Sequence, residues 1–362
     1  MSARLCIRAL QAAGMDVRGI DLSDRFLQDN QHIAFDLPDA NGHEGPGTLL
    51  LLINAPVVPL ALMQLGKKVI ADKRIVGYFA WELPLISADW TPGLKFVHDI
   101  IAPSRFTADA IQPFVPDEVK VLAYPVHATA KLRVTNFRPP RCKLLVLVMF
   151  NFGSGFVRKN PMASIEAFKR AYGGNGEAHL IVKMQNGASF PLERRQLLKE
   201  ASTLSNIHFI EKEMDDAELA GLIEESDVLL SLHRSEGFGL TLAEAMLKGK
   251  CVVATDWSGN HDYLSDATGF PVPYRLVPAI DFSGNYHFPD QLWAEPDVEA
   301  AAGILKSLMD PELREKIGGQ ARQYAGVSFT PDRYAEDFCR ILRFQSVGGT
   351  SLPLASHSVK TG

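Results

Sequence analysis

Cysteine is scarce in this chain. The four cysteines among 362 residues, Cys6, Cys142, Cys251 and Cys339, lie far apart. None forms a Cys-x-x-Cys pair or joins a cluster at metal-ligand spacing, which argues against a zinc ribbon and a disulfide framework and fits a reducing, cytoplasmic compartment. Long apolar runs are missing as well: none approaches the roughly 18 residues of a membrane span, and no signal-peptide core opens the chain. There is no excess of positive charge either. The 37 Lys and Arg face 42 Asp and Glu, a formal net charge of −5, which argues against nucleic acid as a partner. Small basic pairs, Lys67-Lys68 and Lys73-Arg74, allow peripheral contact with anionic lipid at the inner membrane face, although a solvated surface is the simpler account. His127, His233 and His261 are isolated, and no Asp-x-Asp precedes a short strand, so the sequence offers no metal site.

What is present is a recurring pattern. Short continuous apolar runs, at Leu49–Ile53, Ile75–Phe79, Ile100–Ala102, Leu144–Phe150, Leu180–Val182, Val228–Leu232 and Cys251–Ala254, read as strands buried on both faces. Helical spacing fills several intervals: Phe106–Phe114, Pro161–Tyr172, Asp216–Glu225 and Leu240–Lys248. Alternation of this kind predicts an α/β protein with doubly wound parallel sheets, and the length predicts two domains. The polar run Thr129–Arg141, with its Pro139-Pro140 pair, divides the two halves. The expected domains are 1–135 and 136–330, followed by a helix within 331–345 and a disordered Gly/Ser-rich tail over 346–362. At the other end, Ala3, Cys6, Ile7, Leu10 and Ala13 have helical spacing, Gly14 is a helix stop, and Val17–Leu22 is the next candidate strand.

One stretch, "SEGFGLTLAEAM" from Ser235 to Met246, carries two glutamates eight residues apart. On a single helix Glu236 and Glu244 would sit about 12 Å apart along the axis, too far to serve one atom. Gly237 and Gly239 instead predict a turn after the strand Val228–Leu232, with a helix starting at Leu240 that carries Glu244 one turn in. A helix start beyond the carboxyl end of a buried strand binds anions, and glycines let a ligand approach the backbone. Carboxylates beside such an anion site suit a ligand that also offers hydroxyls. A nucleotide sugar, with phosphates and two sugars, meets both demands.

The run "EGFGLTLAEAMLKGKCVVATDWSGN" resembles the glutamate-x7-glutamate signature of the retaining GT-B glycosyltransferases of family 4. The resemblance continues upstream through "FIEKEMDDAELAGLIEESDVLLSLHRS". Within it, "YFAWELP", "IIAPSRFTADAI", "FVRKNP" and "WAEPDVEAAA" resemble a bacterial mannosyltransferase-like subgroup. The resemblance implies two Rossmann-like domains facing a cleft. The N-terminal one takes a glycan or lipid-linked acceptor, and the C-terminal one takes a GDP- or UDP-linked hexose, with mannose the leading choice. It also implies that the last helix folds back onto the first domain, and that no cofactor beyond the donor is needed.

Residue by residue, the resemblance gives Glu236 the donor-sugar hydroxyls. The backbone of Phe238, Gly239 and Leu240 takes the sugar and diphosphate, Glu244 the ribose and Lys159 the phosphates. Where the family often has an arginine, this chain has Ser154, with Arg158 as the candidate substitute. Where it often has a histidine, this chain has Trp81-Glu82, a candidate sugar platform and acceptor-orienting carboxylate, or simply packing. Lys183, after the strand at Leu180, and Glu213-Met214, in a loop where relatives hold the nucleobase, are lesser donor-side candidates. Relatives also supply a strand and a glycine-rich loop ahead of the position of Ser2-Ala3-Arg4, so the N-terminal domain is expected to lack its first strand. Two other readings are weighed beside transfer: a catalytically silent nucleotide-sugar-binding scaffold, and a GT-B sugar-nucleotide epimerase, which would need acid/base carboxylates across the cleft.

Overall fold

The computed structural model describes residues 2–22, 43–127, 133, 136–281, 286 and 288–343. The expected tail at 346–362 lies outside the described residues, as does much of the run dividing the two halves.

The first sheet has four parallel strands in sequence order: β1 (Gly47–Leu51), β2 (Lys73–Tyr78), β3 (Asp99–Ala102) and β4 (Lys120–Val121). Helix α1 (Ser2–Ala12) precedes them, and α2 (Val58–Leu65), α3 (Lys67–Ile70), α4 (Trp90–Leu94) and α5 (Arg105–Ile111) connect them. Helix α5 starts where Ser104 Oγ accepts the Thr107 amide, a side-chain N-cap.

Six parallel strands form the second sheet, in spatial order β10-β9-β8-β5-β6-β7. They are β5 (Leu144–Asn151), β6 (Ala178–Gln185), β7 (Ile207–Ile210), β8 (Val228–Ser231), β9 (Cys251–Thr255) and β10 (Phe270–Val272). Helices α6 (Phe156–Lys159), α7 (Pro161–Tyr172), α8 (Pro191–Ala201), α9 (Asp216–Glu225) and α10 (Leu240–Leu247) alternate with them. Strand addition reverses direction between β5 and β8, and such a switch point opens a crevice at the carboxyl ends of the strands. Helix α9 begins with a capping box, in which Asp215 and Glu218 satisfy each other's backbone amides.

Beyond β10 an antiparallel ribbon, β11 (Tyr274–Pro278) with β12 (Leu292–Pro296), reaches out of the second sheet. Its buried Ala279 and Trp293 join the apolar cluster of the first domain, with Phe79, Trp81 and Trp90. The chain then forms α11 (Val298–Ser307), α12 (Pro311–Ser328) and α13 (Pro331–Leu342). Helix α13 lies on the first domain: its Tyr334, Ala335, Phe338 and Leu342 are buried in one cluster with Cys6, Ala9 and Leu10 of α1. Arg74 of β2 donates to the carbonyl of Leu342 at 2.7 Å.

The expected strand at Val17–Leu22 is absent. Gly14 does end α1, with φ +79° and a bond from its amide to Gln11 O, but residues 15–22 have no regular structure. Met15 and Val17 pack against the α1–α13 cluster instead. No strand edge among the described residues pairs with this segment, so its apolar side chains are used for packing and not for a ladder.

Candidate functional site

Two segments meet at the switch point between β5 and β8. After β5 the chain turns through Phe152–Ser154 into the short helix α6, which ends in Arg158 and Lys159. After β8 it runs through His233 to Glu236 and then into α10. Lys159 Nζ donates to Glu236 Oε1. Arg158, 3% exposed, places Nη1 3.5 Å from Glu236 Oε2 and 2.7 Å from Ser235 O. Its Nη2 donates to Ser154 O at 2.8 Å, so its guanidinium spans from the Ser154 turn to the glutamate.

Glu236 is itself fixed by its backbone. Its amide donates to Ser258 Oγ at 2.8 Å, and its carbonyl accepts from the Gly259 amide at 2.8 Å. Burial alone would raise its pKa, but Lys159 and then Arg158 outweigh burial and pull it down to about 2. It is therefore an anion throughout the neutral range. His233, fully buried between Asn260 Oδ1 at 2.9 Å and Ser231 Oγ at 3.1 Å, is held neutral mainly by burial.

The glycines act through backbone approach. A Cβ on Gly259 would fall 2.2 Å from Gly237 O, so only glycine lets these two loops touch. Gly239 has φ +88° at the N-cap of α10, and Tyr263 Oη donates to the carbonyl of Phe238 at 2.7 Å. This holds the Phe238–Leu240 turn at the start of α10, where the first amides have no acceptor inside the helix. Phe238 itself is buried, its ring packed edge-on against Tyr124 of the first domain.

Glu244 lies one turn into α10 and is partly buried. Burial, then Asp216 at the start of α9, push its pKa up to about 7 against the pull of Lys248. Lys183, near the carboxyl end of β6, is 2% exposed, and Met214 is buried while Glu213 is exposed.

The first domain closes directly over the loop. Ser104 Oγ donates to Gly237 O at 2.6 Å, and the Arg105 amide donates to Asp262 Oδ2 at 2.7 Å. A Cβ on Gly237 would lie 3.1 Å from Trp81 O and 3.7 Å from the Glu82 side chain. Glu82 thus stands opposite the glutamate loop. Trp81 is 8% exposed, donates its indole N–H to Leu85 O at 2.8 Å, and touches the rings of Trp90, Tyr286 and Phe288. Of the roles open to Trp81, packing is the one its surroundings give it.

Sequence reasoning did not find Tyr286. Carried between β11 and β12, it lies under the Arg158 guanidinium at 5.2 Å from the ring centre and donates to Glu82 Oε2 at 3.4 Å. Nor did it find Ser104, Ser258, Tyr263 or Asn260, which hold the loop from behind. The "DWSGN" of residues 256–260, quoted with the signature, was the available signal for Ser258 and Asn260.

Two Rossmann-like domains meeting over a loop at the switch point of the second sheet define a GT-B fold, shared with solved glycosyltransferases. Residues 147–280 match the family described as Glycosyl transferases group 1. A glycosyltransferase from Rickettsia africae superposes with a TM-score of 0.61 at 16% identity, covering 93% of this chain and 80% of that one. HepE from Anabaena, solved with UDP and glucose, gives a TM-score of 0.53 at 16% identity, over 76% of this chain and 72% of its own. In sequence, the trehalose synthase of Pyrococcus horikoshii is 31% identical over 125 residues, 34% of this chain. That match spans about a quarter of the relative's length, 24%.

Proposed function

We propose that this chain is a retaining hexosyltransferase of the family 4 type. It moves a hexose, with mannose the leading choice, from a GDP- or UDP-linked donor to a glycan or lipid-linked acceptor. The observation that carries this reading is the meeting of Lys159, Arg158 and Glu236 beside the start of α10. An anionic carboxylate for sugar hydroxyls stands next to two cations and free amides for a leaving diphosphate. The group 1 match over 147–280 and the UDP bound by HepE support a nucleotide-sugar donor.

Breaking a sugar–phosphate bond builds negative charge on the leaving diphosphate, and fixed cations and amides stabilise it without reorganisation. Lys159 and the Phe238–Leu240 amides take that role. Arg158, whose Nη2 reaches the turn at Ser154, supplies the charge that relatives place at that position. The acceptor hydroxyl attacks from the leaving-group side and passes its proton to a phosphate oxygen, so no carboxylate base and no metal are required. Glu82, facing Gly237 from the first domain, orients the acceptor.

No helix among the described residues is long and apolar enough to cross a membrane. Lys67 and Lys68 are exposed beside exposed Leu60 and Met63, a surface that suits peripheral contact at the cytoplasmic face.

The test pairs donor binding with turnover. Thermal stabilisation is measured with nucleoside diphosphates and their sugars, followed by sugar transfer and donor hydrolysis, on the parent, Glu236→Ala and Glu236→Gln. Both variants should lose about 100-fold or more in turnover while still unfolding cooperatively. Transfer by Glu236→Ala at the parent rate refutes the role given to Glu236. Donor binding without transfer or hydrolysis by the parent replaces the enzyme reading with that of a silent nucleotide-sugar-binding scaffold.

A further inference from the structure

Lys183 is a buried cation with little to hold it. It is 2% exposed, and among the described residues its ammonium donates to one carbonyl, Met184 O, at 3.2 Å. An ammonium carries three donors, and burying them without partners is costly. Burial pushes its pKa down to about 8, with Glu213 opposing that shift and Lys212 adding to it.

The strand period says which side of the sheet it occupies. Side chains alternate along β6, so Lys183 shares a face with Ile181, while Leu180, Val182 and Met184 point the other way. Ile181 belongs to the cluster that includes Met214, Leu222 of α9 and Met246 of α10. Leu180, Val182 and Met184 belong to the opposite cluster, with Ile165 and Phe168 of α7. The register agrees: Lys183 lies beside Met149 of β5 and Ile210 of β7, both on the α9–α10 side. Lys183 therefore lies on the face of the sheet that α9 and α10 cover, the side that carries Met214.

The position along the sheet also matters. Lys183 is two strands from β8, about 10 Å across the sheet. On that side of the sheet α10 follows β8 and carries Glu244, and Lys183 lies two strands further out. A nucleoside diphosphate laid with its phosphates on the helix start and its ribose at Glu244 brings its base to Lys183 and Met214.

Resting on the donor site proposed above, we infer that Lys183 reads the base of the donor nucleotide. It donates a hydrogen bond to the keto oxygen that uracil carries at O4 and guanine at O6, where cytosine and adenine carry an amino group. An amino group there would meet the ammonium donor to donor and leave both unpaired. The buried lysine thus discriminates against cytosine and adenine.

The experiment is calorimetric titration of the full chain with UDP, GDP, CDP and ADP, for the parent, Lys183→Met and Lys183→Gln. The parent should bind UDP or GDP at least about tenfold more tightly than the matching amino nucleotide, CDP or ADP. Lys183→Met, which keeps the length and removes the charge, should lose that preference while changing CDP and ADP affinity less than about twofold. Lys183→Gln, which retains a polar group if the methionine variant fails to fold, offers an acceptor as well as a donor and should gain affinity for the amino nucleotide. UDP or GDP arms then separate the two keto bases. Equal loss across all four nucleotides, or a preference that survives both substitutions, overturns the assignment and leaves Lys183 as a support for Met184 O. Failure of the parent to bind any of the four overturns the donor site itself, and this assignment with it.

Discussion

Glu236 and Glu244 are one residue type eight positions apart, and the fold treats them in opposite ways. Glu236 sits against two cations that outweigh its burial, so its carboxyl falls to about 2; Glu244, buried beside Asp216, rises to about 7. A depressed carboxyl contributes stability above its unfolded value, and that contribution is lost as pH falls from about 4.5 toward 2. Glu236→Gln should therefore destabilise the protein by about 3 kcal/mol at pH 7, because Arg158 and Lys159 are left without their counter-charge. The gap to the parent should close as pH falls through that window in acid unfolding followed by circular dichroism.

Glu244 has the reverse sign. A raised carboxyl costs stability as pH climbs from about 4.5 through about 7, with the full cost above that. Glu244→Gln should raise ligand-free stability by about 1–2 kcal/mol at pH 8, discounted for its partial exposure, and leave it nearly unchanged at pH 4. The same variant should weaken nucleoside diphosphate binding about tenfold, a trade of stability for function that calorimetry and melting curves read separately. An unchanged melting point at pH 8 would mean that the carboxyl is better solvated than its surroundings indicate.

Among the elements, the strands of the second sheet are the most legible from sequence. Buried on both faces, they show as unbroken apolar runs, and β5 and β9 lie where Leu144–Phe150 and Cys251–Ala254 read as strands. Helices α7 and α9 have the limits that spacing predicts, Pro161–Tyr172 and Asp216–Glu225, because proline at a helix start and a capping box are local signals. The ribbon β11–β12 was not legible. Its first strand is mostly exposed, and its place is set by contacts with the other domain, which leave no period in its own sequence. Gln291 shows what holds it: its amide donates to Leu85 O at 2.7 Å and accepts from the Leu85 amide at 3.2 Å. Gln291→Ala should lose about 1 kcal/mol, since it leaves the Leu85 amide without its acceptor while Leu85 O keeps the Trp81 indole N–H. It should also speed proteolytic cleavage between β11 and β12; an unchanged cleavage rate would mean that Ala279 and Trp293 hold the ribbon without it.

At the scale of the molecule, two further ties besides the ribbon join the first and second domains among the described residues. One is the crevice, through Ser104 and Gly237; the other is α13, whose Phe338 packs with α1 and β2. Phe338→Ala should cost about 3–5 kcal/mol by cavity formation, and should do so through loss of the first domain. Hydrogen exchange should rise in α1 and β2 before it rises in β5, and a uniform rise would mean that the two domains unfold as one unit. Contact at Gly237 brings the first domain onto the glutamate loop, and on the proposed function such closure would exclude water from a bound donor.

The sequence by itself determined the elements and the chemistry at their ends: which runs become buried strands, where helices start, and that Glu236, Lys159 and the glycines stand at strand exits. These follow from local periodicity, capping and backbone freedom, which act over a few residues. Only the tertiary structure decided which distant groups meet. Lys159 and Glu236 are 77 residues apart, and Tyr286 and Glu82 are 204 apart. It also decided that Lys183, which reads locally as a polar exit from a strand, is buried, and that two glutamates of one stretch hold their protons at opposite ends of the carboxyl range. The reason is that burial and charge depend on what the rest of the chain brings close.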